Sequence, residues 1–349
     1  MINKSQIEKL QKQKDVVILA IESSCDETSI AVVKNGREVL SNVISSQIDI
    51  HKRFGGVVPE VASRNHTMCI SNVLTESLKK ANITLNDIDA IAVTYGAGLV
   101  GALLVGVSFA KALSYALNKP LIAVNHIRGH VCANYLAYKE LEPPFMCLVV
   151  SGGHSAIVKV EDYVNFNVIG STQDDAVGEA TDKIARVLGL AYPGGPKVDK
   201  LAQNGKNNIK FVNSTTFKDS YNFSFSGLKT ATINYIHKLT QKGEEIKVED
   251  ICCSFQHQAM DGLIEKTIKA CKEFNINKVA IAGGVSANSY LRSELSKQAH
   301  QNNITAFIPP FEYCTDNAAM IGSMAYYNLM NNVGLSDIDL NAVPNIPIE

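Results

Sequence analysis

Residues 16–33, VVILAIESSCDETSIAVV, read as an apolar strand, a polar turn and a second apolar strand, the pattern of a β-hairpin. Residues 145–160, FMCLVVSGGHSAIVKV, repeat that plan around the turn SGGHS. A second pair follows in the same order: 88–113, IDAIAVTYGAGLVGALLVGVSFAKAL, and 276–295, INKVAIAGGVSANSYLRSEL, each read as strand, glycine-rich turn and helix. One order recurring in two halves is what a duplicated lobe produces, so an α/β protein of two lobes is expected. Apolar spacing predicts helices over 66–81, 101–117, 175–188, 226–240, 249–273 and 317–330.

Composition agrees with that size: 349 residues, 46% hydrophobic and 19% charged, bury a substantial core. The start, MINKSQIEKLQKQKD, is polar and lysine-rich, and no stretch reaches the roughly 20 uninterrupted apolar residues of a membrane span, so a cytoplasmic location is expected. Eight scattered cysteines without a CxxC pair read as reduced thiols, and Cys25 as a small turn residue rather than a nucleophile. A net charge of −1 leaves RNA binding to a local patch, for which 51–66, HKRFGGVVPEVASRNH, is the candidate.

His126-Ile-Arg-Gly-His130 places two imidazoles at i and i+4, one face of a helix and a metal-ligand spacing. Ile127 stands where the HExxH peptidases carry their general-base Glu, which removes that reaction. Asp316, just before the last predicted helix, can complete a two-histidine, one-carboxylate site that suits iron or zinc better than magnesium. The turns SGGH (151–154), GAG (96–98), PGG (193–195) and AGGVSAN (282–288) can aim backbone N–H groups at phosphate or carboxylate oxygens, which points to a nucleotide-like ligand between the lobes. No GxxxxGK[ST] occurs, so the phosphate-binding P-loop is excluded. Glu22, Asp26 and Glu27 crowd the first hairpin turn as candidates for acid–base work, and Asp175, Glu179 and Asp182 are expected on one helical face.

With ESSCDETS, GGVVPEVASRNH, HIRGH, VVSGGH, DDAVGEATDK, YPGGPKVD, FSFSGLKT, AGGVSAN and CTDNAAMIG in order from Val16 to Met330, the chain resembles the bacterial threonylcarbamoyl-adenosine synthase family, TsaD, once labelled O-sialoglycoprotein endopeptidases. The resemblance implies an actin-like ATPase (ASKHA) fold of two duplicated ribonuclease-H-like lobes around a central nucleotide cleft. The domains would be a polar extension over 1–15 that fringes the core, an N-terminal lobe over 16–125 joined by a returning helix at about 317–333, and a C-terminal lobe over 126–316 with an insertion at about 170–250. It implies transfer of a threonylcarbamoyl group from threonylcarbamoyl-AMP to N6 of the adenosine 3′ of the anticodon, in tRNAs reading ANN codons. Carried over by motif, His126, His130 and Asp316 would hold one divalent metal ion, Fe2+ first with Zn2+ or Mg2+ as alternatives. Val149, Val150, Ser151, Gly152, Gly153, Asp182, Gly195, Asp199 and Asn288 would contact the adenylate or ATP/ADP, with Ser226, Gly227 and Lys229 near the same site. Val149 and His154 stand where archaeal and eukaryotic members carry a tyrosine ligand and an asparagine, and Ala97 where relatives often have proline. Expected partners are tRNA, a TsaB-like paralogue, a TsaE-like small ATPase and a TsaC-like synthase that supplies the adenylate. The competing readings are an ATP-dependent small-molecule kinase of the same fold and a non-catalytic regulator; neither needs the histidine pair with Asp316.

Overall fold

The computed structural model describes residues 4–212, 217 and 219–348. Two compact units emerge, unit 1 from Met1–Pro143, Glu161–Phe166 and Pro309–Glu349, and unit 2 from Pro144–Val160 and Asn167–Ile308.

In chain order unit 1 contributes α1 (Lys4–Gln11), β1 (Val17–Glu22), β2 (Glu27–Lys34), β3 (Glu38–Ser46), the one-turn α2 (Ile48–His51), α3 (Pro59–Ala81), β4 (Ala90–Gly96), α4 (Val100–Leu117), β5 (Leu121–Asn125) and α5 (His126–Ala137). Unit 2 follows with β6 (Phe145–Val150), β7 (Ser155–Val160), β8 (Phe166–Ser171), α6 (Val177–Val187), α7 (Gly194–Ala202), α8 (Ser226–Lys242), α9 (Val248–Glu273), β9 (Lys278–Ala282), α10 (Ser289–Gln301) and β10 (Thr305–Phe307). The chain then returns to unit 1 with α11 (Ala318–Met330) and β11 (Leu335–Ser336).

The expected duplication is present. The sheet of unit 1 runs β11-β5-β4-β1-β2-β3 and that of unit 2 runs β10-β9-β6-β7-β8. In each, the first hairpin is antiparallel and the strand after the helical connection joins the first strand in parallel, with Ala20 opposite Ala92 in one and Cys147 opposite Ala280 in the other. β1 and β6 are central strands covered on both faces, which is why VILAI and FMCLVV are unbroken apolar runs rather than alternating ones. α3 begins on Pro59, whose missing N–H costs nothing at the first helical position, and ends at Asn82 in the left-handed region.

Three sequence expectations are corrected. Residues 126–143 belong to unit 1 rather than to the second lobe, because α5 follows directly from β5 and packs along α11. The extension beyond the described residue 4 is no fringe: Ile7 and Leu10 are buried, and Gln11 donates to the Leu329 carbonyl at the open end of α11. Asp175 precedes the helix it was expected to share, since α6 starts at Val177, and it accepts hydrogen bonds from Lys183 and Lys229 instead of lying on an acidic face. α4 is long and apolar enough to cross a membrane, yet in unit 1 its Leu103, Val107 and Ala110 are buried beside β4 and α3.

Candidate active site

Asn125 ends β5 and caps α5. Its Oδ1 accepts from the N–H groups of Ile127 at 2.9 Å and Arg128 at 3.3 Å, two of the first-turn donors that have no partner inside the helix. The helix therefore begins on His126, and His130 follows one turn later with its ring 4.7 Å from the first, edge to face. Asp316 lies in the turn before α11, next to Asn317, whose side chain caps that helix by accepting from Met320. α5 and α11 approach closely at Gly129, where a Cβ would come within 2.7 Å of Ile321 Cδ1. That packing sets Asp316 Oδ1 at 3.0 Å from His130 Nε2 and 3.4 Å from His126 Nε2, and all three donor atoms lie within 4.8 Å of one another.

Glu22, at the end of β1, closes the site from behind. It is fully buried, with Oε2 at 3.0 Å from His126 Nδ1 and accepting from Thr94 Oγ1 at 2.5 Å, while Oε1 accepts from the Ser24 N–H at 2.5 Å. A carboxylate against Nδ1 fixes the ring and holds the proton there, so that Nε2 would be the coordinating atom once an ion displaced its proton, the outer support that metal-binding histidines usually have. Burial opposes a charged His126, but Glu22 and Asp316 outweigh it and hold its pKa well above the ordinary range. Burial likewise opposes ionised Asp316, and the two imidazoles outweigh it in turn and keep its carboxyl below the usual range. This pocket favours a cation. Two imidazoles and a carboxylate converging on one point fit Fe2+ or Zn2+ better than the all-oxygen shell of Mg2+.

Asp26 is buried and Glu27 opens β2, accepting from Ser46 Oγ at 3.0 Å. Burial, with Asp26 and Asp316 nearby, pushes the Glu27 carboxyl up to about 9. Burial and the same carboxylates also raise the Cys25 thiol, so no thiolate is available there for nucleophilic work.

The other expected contacts all lie in unit 2, where three glycine turns are tied together. Gly283, at φ +88°, follows β9 so closely behind β6 that a Cβ would collide with the Val150 carbonyl, and a Cβ on Gly178 would come within 2.6 Å of the Ser151 carbonyl. Asp182 accepts from the N–H groups of Gly194 at 2.9 Å and Gly195 at 3.2 Å. Asp199 accepts from Ser289 N–H and Oγ, and Asn288 caps α10 while donating to Gln256 at 2.9 Å. Ser151, Gly152 and Gly153 are accessible, whereas Val149 and Val150 are fully buried, which limits them to main-chain contacts. Asp174 accepts from the N–H groups of Phe225 and Ser226 at the start of α8, and Lys229 reaches Asp175, so DDAVGEATDK and FSFSGLKT form one joint. Sequence reasoning missed Thr94, Ser24 and Asn125; an asparagine directly before a helix is an N-cap signal that marks the last of them.

The family model for TsaD, described as tRNA N6-adenosine threonylcarbamoyltransferase, matches residues 38–323. A protein of that name from Clostridium botulinum (strain Kyoto / Type A2) is 57% identical over 337 residues, covering 96% of this chain and 99% of the relative. Its namesake from Clostridium perfringens (strain 13 / Type A) is 57% identical over 331 residues, 95% of this chain and 97% of the relative. Among solved structures, HypF of T. kodakarensis superposes with a TM-score of 0.62 at 15% identity, over 91% of this chain and 48% of its own. Component A of (R)-2-hydroxyglutaryl-CoA dehydratase from Acidaminococcus fermentans gives 0.52 at 14%, over 91% and 99%. At such identities these two bear on the fold alone, which is the actin-like ATPase fold expected from the sequence.

Proposed function

We propose, from the premise that this chain belongs to the TsaD family of tRNA N6-adenosine threonylcarbamoyltransferases, that it transfers a threonylcarbamoyl group from threonylcarbamoyl-AMP to N6 of the adenosine 3′ of the anticodon in ANN-reading tRNAs. The observation that carries this reading beyond kinship is the convergence of His126, His130 and Asp316 on one point, with Glu22 fixing His126 from behind.

AMP is a good leaving group and the adenine amine a weak nucleophile, so positioning and charge stabilisation dominate the task. His126, His130 and Asp316 hold a divalent ion, Fe2+ by donor chemistry, which when bound supplies a Lewis acid for the donor's carbonyl, carboxylate or phosphate oxygens. The N–H groups of Gly152 and Gly153 and of Gly284 and Val285 cradle the adenylate or ATP/ADP, with Asp199 holding Ser289 beside the second of these turns and Asp182 holding Gly194 and Gly195 in the neighbouring one. Glu22 is a poor proton acceptor because both of its oxygens are already engaged. Asp26 and Glu27 remain the candidates for receiving the amine proton, through whichever of the two is ionised in the loaded site.

A TsaB-like partner would dock where α3 and α4 lie side by side and expose Met68, Val100 and Leu104, an apolar surface that solvent alone does not explain. A TsaE-like ATPase, a TsaC-like adenylate supplier and a cytoplasmic setting complete the proposal.

Nucleoside analysis of tRNA after depletion of the protein, with metal analysis of the purified chain, tests the whole reading. His130→Ala is expected to lose bound metal and transfer together. A metal-free variant with full transfer would overturn the metal assignment, and unchanged tRNA after depletion would overturn the reaction.

A further inference from the structure

We infer that the segment after β11, residues 337–348, is a strap that positions the metal helix, with Asn125 as the positioning residue for His126. The inference rests on the reading of His126, His130 and Asp316 as metal ligands.

The strap is fastened at successive points within unit 1. Leu340 O accepts from Lys111 Nζ at 3.0 Å, Val343 N–H donates to Tyr95 O at 2.7 Å, and Pro344 O accepts from Gly98 N–H at 3.0 Å. Pro347 O then accepts from Asn125 Nδ2 at 2.7 Å and Ile348 O from Arg128 Nε at 2.5 Å. Ile348 is only 7% exposed, so the end of the segment is anchored by an apolar side chain as well as by its carbonyl. Pro344 and Pro347 restrict the free segment to extended backbone, which lowers the entropy lost on docking.

Two routes lead from the strap to the same imidazole. In the first, Asn125 uses both ends of its amide: Oδ1 caps Ile127 and Arg128, which leaves Nδ2 as the donor to Pro347. The cap fixes where α5 starts, and His126 is its first residue. In the second, Val343 O fills the space a Cβ on Gly96 would need, and the turn continues to Gly98, where a Cβ would come within 2.8 Å of Ser24 Cβ. Leu99 N–H donates to Ser24 O at 2.8 Å, and Ser24 Oγ lies 3.2 Å from His126 Nδ1. One segment thus presses on His126 from its backbone and from its ring.

The test uses the full-length chain. Asn125→Asp keeps an oxygen to cap α5 but sets an acceptor against the Pro347 carbonyl; a second variant replaces 343–348 with glycine and serine of equal length and leaves the cap untouched. Zn2+ and anaerobic Fe2+ affinities are measured by chelator competition, and hydrogen exchange at the Ile127 and Arg128 amides is followed in metal-free protein. Both variants are expected to bind metal about tenfold more weakly or worse, and to exchange those amides faster, while β1 and β4 stay protected. Affinity and exchange equal to the parent in the Gly-Ser variant would overturn the strap. A parent chain that binds neither ion would overturn the metal reading, and the strap with it.

Discussion

Glu22 illustrates how a residue type underdetermines its role. In sequence it is one of three crowded carboxylates; in the structure Thr94, Ser24 and His126 take up its oxygens and it becomes the anchor of the His126 imidazole. Glu22→Gln keeps the shape and removes the charge, so metal affinity is expected to fall about 10- to 100-fold in a chelator titration; unchanged affinity would return Glu22 to the pool of proton carriers. Glu27 makes a different prediction. Its folded carboxyl holds a proton up to about 9 whereas the unfolded one releases it near 4.5. Between those values the folded state binds more protons, so in metal-free protein this group's contribution to stability is lost as pH rises through that window, by an amount on the order of a few kcal/mol. Urea midpoints of Glu27→Gln and the parent, compared at about pH 5 and about pH 8, should show the variant gaining on the parent at the higher pH; parallel behaviour would reject the raised carboxyl.

At the scale of elements, the glycine turns carry the most information per residue. Gly283 has φ +88° with its missing Cβ facing the Val150 carbonyl, so Gly283→Ala is expected to cost about 1–3 kcal/mol, lowering the melting temperature and raising the KM for the adenylate more than it lowers kcat; an unaltered melt would remove the close approach from the argument. Three of these turns were legible because each follows an apolar run buried on both faces, as β4, β6 and β9 are. The third strands were not. β3, EVLSNVISS, and β8, FNVIGS, are edge strands with irregular burial and no clean alternation to read. α7 was hidden for another reason: it starts inside a Pro-Gly-Gly run that signals a turn, and it is held there by Asp182 receiving the glycine amides. The HxxxH pair was visible from spacing alone, whereas Asp316 was offered only by its place before the last predicted helix and then by family resemblance, because its approach depends on α5 packing against α11, which no local pattern encodes.

For the molecule as a whole, the duplicated strand order accounts for the fold, and the departures from symmetry are where function is expected. One such departure is the exposed apolar surface of α3 and α4. Met68→Glu combined with Leu104→Glu is expected to abolish co-purification with a TsaB-like partner while leaving metal content unchanged; persistent co-purification would place the docking surface elsewhere. Another is the interleaving of the two units along the chain. Unit 2 is almost wholly contained between the two major segments of unit 1, and Asp316 belongs to the later segment. During synthesis both histidines leave the ribosome early, but the carboxylate that would complete the proposed cation site emerges only after unit 2 has been made. A nascent chain thus passes most of its translation with two of the three proposed ligands, and tight capture of a metal ion by that site would be deferred to the moment when the last helix can close against the fifth.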